Sequence, residues 1–226
     1  MPPRTSVVFV SVVFPVSIFC SFSVLYTVSS GESETRTRIL EATWRLMEER
    51  RGHDVRMRDV AEAAGASRQA VYLHFGSRAE LMVATARYGD EVRGLDERLR
   101  RYRAATTGVE RLEAFVEFWG NYIPEIYGIA KALLAARETD EAVAAAWDDR
   151  MSVVHEGCRN IIEALHRDGT LAPEWSLDEA TDLLWTMLSI RNWESLTIEC
   201  GWSTSQYVDR MQELSKRTFV RGAEGT

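Results

Sequence analysis

From Ser33 onward, apolar residues return every three to four positions, the repeat of an amphipathic helix. Ile39, Leu40, Thr43, Leu46 and Met47 mark one face of a first helix. Gly52 stands at the C′ position that stops it, after Arg50 and Arg51 have placed positive charge at the helix C-terminus. The S/T-x-x-E/Q capping box marks later starts: Ser77 with Glu80, Thr107 with Glu110, Ser176 with Glu179, and Ser203 with Gln206. Sustained alternation of period two is absent after residue 30, and Asp168-Gly169 reads as a helix-to-helix turn, so the pattern predicts an all-α protein.

The first 30 residues break this pattern. Arg4 is their one charge, and Val7 to Val28 is a run of Val, Phe and Ser with Pro15 in its middle. As a helix this run would span about 33 Å, enough for a bilayer core. It also resembles an export signal. The preferred reading is an over-long start assignment, with a membrane anchor second and export third. The leader is therefore left out of the fold.

Charge sharpens the division. The net charge of −7 on 226 residues argues, as an average, against nucleic acid. Split by zone, residues 1–30 carry +1, residues 31–94 carry 0 with 11 Arg, and residues 95–226 carry −8. Lys is confined to Lys131 and Lys216, so guanidinium groups supply the basic chemistry. Three scattered cysteines cannot build a disulfide framework and lack metal-ligand spacing, which fits a reducing cytoplasm.

Within the neutral zone, residues 57–75 read MRDVAEAAGASRQAVYLHF. Met57 to Ala64 is a short helix with Val60, Ala61 and Ala64 on one face. Gly65 permits a sharp turn, and Ser67 can cap a second helix through its hydroxyl. In that helix Val71 and Phe75 lie four apart and face the core, while Arg68, Gln69 and Tyr72 take the other side. Taken alone, such a small-residue pair makes only a tight helical corner. The exposed Arg-Gln-Tyr face between a glycine turn and a capped helix points instead to a helix-turn-helix. Arg can pair with guanine O6/N7 and Gln with adenine N6/N7, each on the order of 1–3 kcal/mol of discrimination. Tyr72, His74, Arg78 and Arg58 can reach phosphates.

The run from Arg36 to Leu81 resembles the DNA-binding domain of the tetracycline-repressor (TetR) family of bacterial regulators. The pieces that carry the resemblance are RILEAT at 38–43, Gly52, RDVAEAAGAS at 58–67 and VYLHFGSRAEL at 71–81. It implies a three-helix DNA-binding domain, a linking helix from Ser77 to about Arg93, and a helical regulatory domain. By position it implies DNA contacts at Ser67, Arg68, Gln69, Tyr72, His74 and Arg78. The resemblance departs at Arg56, where the family carries a Ser or Thr cap, and Asp54 is the alternative cap.

The acidic body holds six of the seven tryptophans. In 109–127, Leu112, Phe115, Val116, Trp119, Tyr122, Ile123 and Ile126 keep helical spacing, and most such residues are core. Phe118, Trp119, Tyr122, Trp147, Met151, His155 and Trp185 are the candidates for lining an apolar effector site. Residues 177–217 read as two capped helices parted by Gly201-Trp202. Their apolar stripe, with Leu184, Met187, Leu188, Tyr207 and Met211, is too broad for one buried face and suggests a partner copy. The family resemblance implies a dimeric four-helix bundle at this place.

These readings divide the chain into a leader (1–30), a helix-turn-helix domain with its linker helix (31–94) and an effector-binding and dimerisation domain (95–226). Catalytic, phosphate-loop, metal and cofactor motifs are missing from the sequence. The expected protein is a cytoplasmic, homodimeric regulator, a repressor, that binds a palindromic double-stranded operator and is released by a small apolar effector. The rivals are a membrane-tethered sensor that keeps residues 7–28 as an anchor, and a helical small-molecule binding protein without DNA affinity.

Overall fold

The computed structural model describes residues 30–51 and 54–222. The leader up to Ser29, together with Gly52 and His53, lies outside the described residues. Three helices come first: α1 (Ser30–Glu49), α2 (Met57–Ala63) and α3 (Arg68–His74). Ile39, Leu40 and Met47 of α1 close with Val60 of α2 and Val71 and Phe75 beside α3 into one buried cluster. The long α4 (Arg78–Val92) leads out of it, and α5 (Leu95–Arg98) and α6 (Arg100–Ala104) are short turns. The body is built from α7 (Gly108–Ala136), α8 (Glu141–Arg167), α9 (Leu177–Met187), α10 (Ile190–Glu194) and α11 (Thr204–Phe219). Among the described residues extended structure is limited to one bridge, Leu171 to Val220, so the fold is all-α with an N-terminal helix-turn-helix domain and a helical second domain.

The helix starts follow the capping logic, unevenly. Thr107 with Glu110 and Ser176 with Glu179 form reciprocal boxes. Ser77 and Ser203 accept from the N–H groups of Glu80 and Gln206, but the Glu80 carboxylate turns to the N–H of Gly76 at 3.0 Å. Asp140 caps α8 by accepting from Ala142 and Val143. Thr43 sits in an apolar stripe because its buried hydroxyl donates to the Ile39 carbonyl at 2.7 Å, one turn back.

The C-terminal region corrects the sequence reading. The expected single helix from 177 breaks at Leu188–Ser189, restarts as α10 under a Ser189 cap, and continues as a π-helical turn over Ser195–Glu199. The break frees the Leu188 carbonyl from the helix ladder, and the indole N–H of Trp119 donates to it at 2.7 Å. It also lets both halves bury: Ala180, Leu184, Leu188 and Ile190 are all in the core. Tyr207 and Met211 of α11 are equally buried, where α11 packs on α7. The broad stripe is thus absorbed within the chain. Of the expected dimer residues, Leu184, Leu188, Tyr207 and Met211 are covered by their own protomer, and only Met187 remains half-buried.

The two domains are held by close backbone approach. A Cβ on Gly128 of α7 would lie 2.4 Å from the Met47 carbonyl oxygen of α1. One on Gly89 of α4 would lie 1.8 Å from the Trp44 ring. Arg93, at the end of α4, donates to Glu48 at 2.8 Å and to Glu125 at 2.7 Å, with its guanidinium over the Trp44 ring. Arg98 adds two bonds to Glu125. Partial burial opposes ionisation of Glu125, but the hydrogen bonds from Arg98 and Arg93 outweigh it and hold the carboxyl below its ordinary range. Gly128→Ala should therefore lower stability by about 1–3 kcal/mol, because backbone rather than a flexible side chain must move. A thermal melt equal to wild type would show that α1 and α7 can part there freely.

Candidate nucleic-acid interface

The turn between α2 and α3 depends on Gly65, whose φ of +61° lies in the left-handed region. Ser67 then stands extended and accepts from the Ala70 N–H at 3.0 Å, as its position suggested. Val71 and Phe75 anchor α3 to the core, which turns Arg68, Gln69 and Tyr72 to solvent. The Arg68 guanidinium lies over the Tyr72 ring, 5.7 Å from its centroid. Leu73 is 80 % exposed on the same side, a residue the sequence reading passed over. Its place off the Val71–Phe75 row was the available signal. His74 is half-buried beside the Phe75 ring.

The flanking arginines divide by role. Arg78 donates through Nε to the Val55 carbonyl at 2.9 Å and so ties the start of α4 to the loop before α2. Arg58 is largely exposed at the start of α2, with Asp59 at 3.5 Å. Arg36 packs over Phe75 beside the C-terminal end of α3, a second exposed cation the sequence reading did not single out. The cap of α2 is corrected. Arg56 occupies the N-cap position without a side-chain cap bond, and Asp54 does not replace it. The Asp54 carboxylate is taken by Arg56 in two bonds of 2.9 and 2.8 Å. Charge in the first turn comes from Asp59, whose carboxyl the Arg50 hydrogen bond holds below its ordinary range.

The candidate effector residues do not form one site. Phe118, Trp119 and Tyr122 belong to an aromatic column on α7 with Phe115 and, from α6, Tyr102. Trp119 and Tyr122 are buried there, and Trp147 of α8 is buried too. His155 instead faces Trp185 edge-on, its Nε2 3.0 Å from Asp182, near the outer surface of α8 and α9. Met151 is half-buried on α8. The two concavities described lie elsewhere. One sits among α1, α2 and α4. The other, a shallow recess, is lined by Val83, Ala86, Arg87, Leu133, Ala146, Asp149 and Arg150 where α4 meets α7 and α8. Beside it Asp90 of α4 accepts from Tyr122 at 2.6 Å and pairs closely with Arg150. Among the described residues no group of three His, Cys, Asp or Glu stands together for a metal, and no helix is long and apolar enough to cross a membrane.

The model for bacterial regulatory proteins of the tetR family matches residues 39–85, which span most of α1 through the first half of α4. No curated protein sequence matches the chain significantly. Solved structures share the fold along almost their whole length. A transcriptional regulator from Saccharomonospora viridis, in complex with choline, is 20 % identical with a TM-score of 0.73, over 84 % of this chain and 99 % of its own. FadR from Bacillus subtilis, in complex with stearoyl-CoA, is 11 % identical with a TM-score of 0.65, over 80 % and 98 %. NalD of Pseudomonas aeruginosa, the secondary repressor of a multidrug efflux pump, is 18 % identical with a TM-score of 0.62, over 86 % and 100 %. Residues 39–85 thus match the tetR-family model, and the helix-turn-helix domain joined to a helical second domain is the fold that these solved structures share.

Proposed function

We propose that this regulator is a cytoplasmic homodimeric repressor that reads a palindromic operator and releases it when a small, mainly apolar effector binds. Residues 31–94 form the DNA reader and residues 95–226 the effector and dimer domain. The observation that carries this reading is the α3 surface. Arg68, Gln69 and Tyr72 point outward together from a helix whose opposite side is anchored by Val71 and Phe75. Arg68 and Gln69 face base edges, and Ser67, Tyr72, His74, Arg78 and Arg58 contact phosphates. Two-fold symmetry sets two such helices about 34–36 Å apart or somewhat more on successive turns of DNA. The outward faces of α9 and α11, which carry Met187, Trp185 and Leu214, are the surfaces left to meet a second copy.

The effector acts on the acidic body. Relatives of the same fold hold choline in one case and stearoyl-CoA in another, so both ligand chemistries are first probes here. The route to DNA runs through α4. Asp90 ties that helix to Tyr122 of α7 and Arg150 of α8, so a ligand that parts these helices re-aims the reader.

Arg68→Ala should weaken specific operator binding roughly 10- to 100-fold, and Tyr72→Phe by less, with the thermal melt unchanged because both side chains reach solvent. An electrophoretic shift on an operator selected from random DNA reads this, and tight specific binding by both variants would sink the assignment of α3. Arg150→Ala removes no DNA-facing group. It should nevertheless alter operator affinity or effector response roughly fivefold or more. Unchanged titrations on both counts would remove α8 from the route. Sedimentation should show a dimer that Leu214→Asp weakens, whereas a monomeric wild type would overturn the two-fold reading.

A further inference from the structure

Leu73 is the most exposed of the large apolar side chains on the described surface, at 80 %. It is held out by geometry. In a helix, residues four apart share a row. Val71 and Phe75 form the anchored row of α3. Arg68 and Tyr72 form a second row, closed by their cation–π contact. Gln69 and Leu73 form the third, and no described residue covers it. The helix is fixed at both ends, by the Ser67 cap and by burial of Phe75, so Leu73 has no nearby route into the core.

A leucine cannot pair with phosphate or with the polar edge of a base. The one apolar group that a base edge presents in the major groove is the C5 methyl of thymine. We infer that Leu73 is a specificity residue that packs on a thymine methyl, one helical turn along α3 from the base read by Gln69. This inference rests on the operator-binding reading above and adds a base to it. Arg68 then selects guanine, Gln69 adenine and Leu73 thymine within one half-site.

The test uses the full chain and the operator recovered by selection from a random DNA pool. Each half-site thymine is replaced in turn by uracil, which pairs identically and lacks only the methyl. Binding is followed by fluorescence anisotropy. One replacement should weaken wild-type binding about fivefold, the effect of about one buried methyl group. Leu73→Ala should bind the thymine operator about as weakly as wild type binds the uracil one, and should show no further loss with uracil. Its melting temperature should equal that of wild type, since the side chain contributes little to the core. Recovery of an operator whose affinity is indifferent to every uracil replacement, or one without a fixed thymine in its half-sites, overturns this inference alone. So does a uracil penalty that persists undiminished in Leu73→Ala. Failure to enrich any DNA overturns the operator-binding reading and this inference with it.

Discussion

The contact of α1 with α7 at Gly128 fixes most of what this molecule can do. There the backbone of the helix-turn-helix domain rests on the backbone of a body helix with no side chain between them. Such a contact tolerates little sliding, because atoms packed this closely repel steeply when pushed. Between α1 and α4 it is the Trp44 ring that fills the space left by Gly89. Arg93 then bridges Glu48 and Glu125 across the same seam. A reader joined to its body by flexible chain would lose any strain before it reached α3. Here α1 abuts α7 directly, with no flexible chain between them.

This rigidity gives the polar contacts on α4 their meaning. Asp90 makes its two contacts to different helices of the body, Tyr122 on α7 and Arg150 on α8. Burial raises the Tyr122 phenol, and the Asp90 carboxylate raises it further, so the group stays a neutral hydrogen-bond donor. A shallow recess opens beside this junction, flanked by Arg87 and Arg150. A close-packed seam on one side and a polar junction on the other hold α4 between the two domains.

Local signals made the reader legible in sequence. A glycine that needs positive φ, a serine that must cap, and two core residues four apart each act within a few positions, and all appear as expected. The reading failed where partners are distant. The break at Leu188–Ser189 has no proline or glycine to announce it, and its freed carbonyl serves Trp119, 69 residues earlier in the chain. Once the helix is broken, the apolar surplus that suggested a partner copy at Leu184 and Leu188 is absorbed by the protomer. Of the aromatic residues expected to line an effector site, Phe118, Trp119 and Tyr122 stand in the α7 column. Type cannot tell stacking in a column, as for Phe118 on Tyr122, from lining a cavity. Asp54 was a fair cap by chemistry, but a bidentate arginine two residues away took its carboxylate first.

The scarcity of lysine has a consequence at the DNA surface. Both lysines lie in the body, Lys131 paired with Glu194 and Lys216 with Glu113. Every full-time cation on the reader is therefore a guanidinium, which keeps its proton at any pH a cell reaches and is not a target for acylation. The arginines are the fixed part of that domain's positive charge. Acetyl transfer to side-chain amines and ordinary drifts in acidity leave that part of its charge untouched. Reagents that seek side-chain amines mark the body at two points and spare the helix-turn-helix.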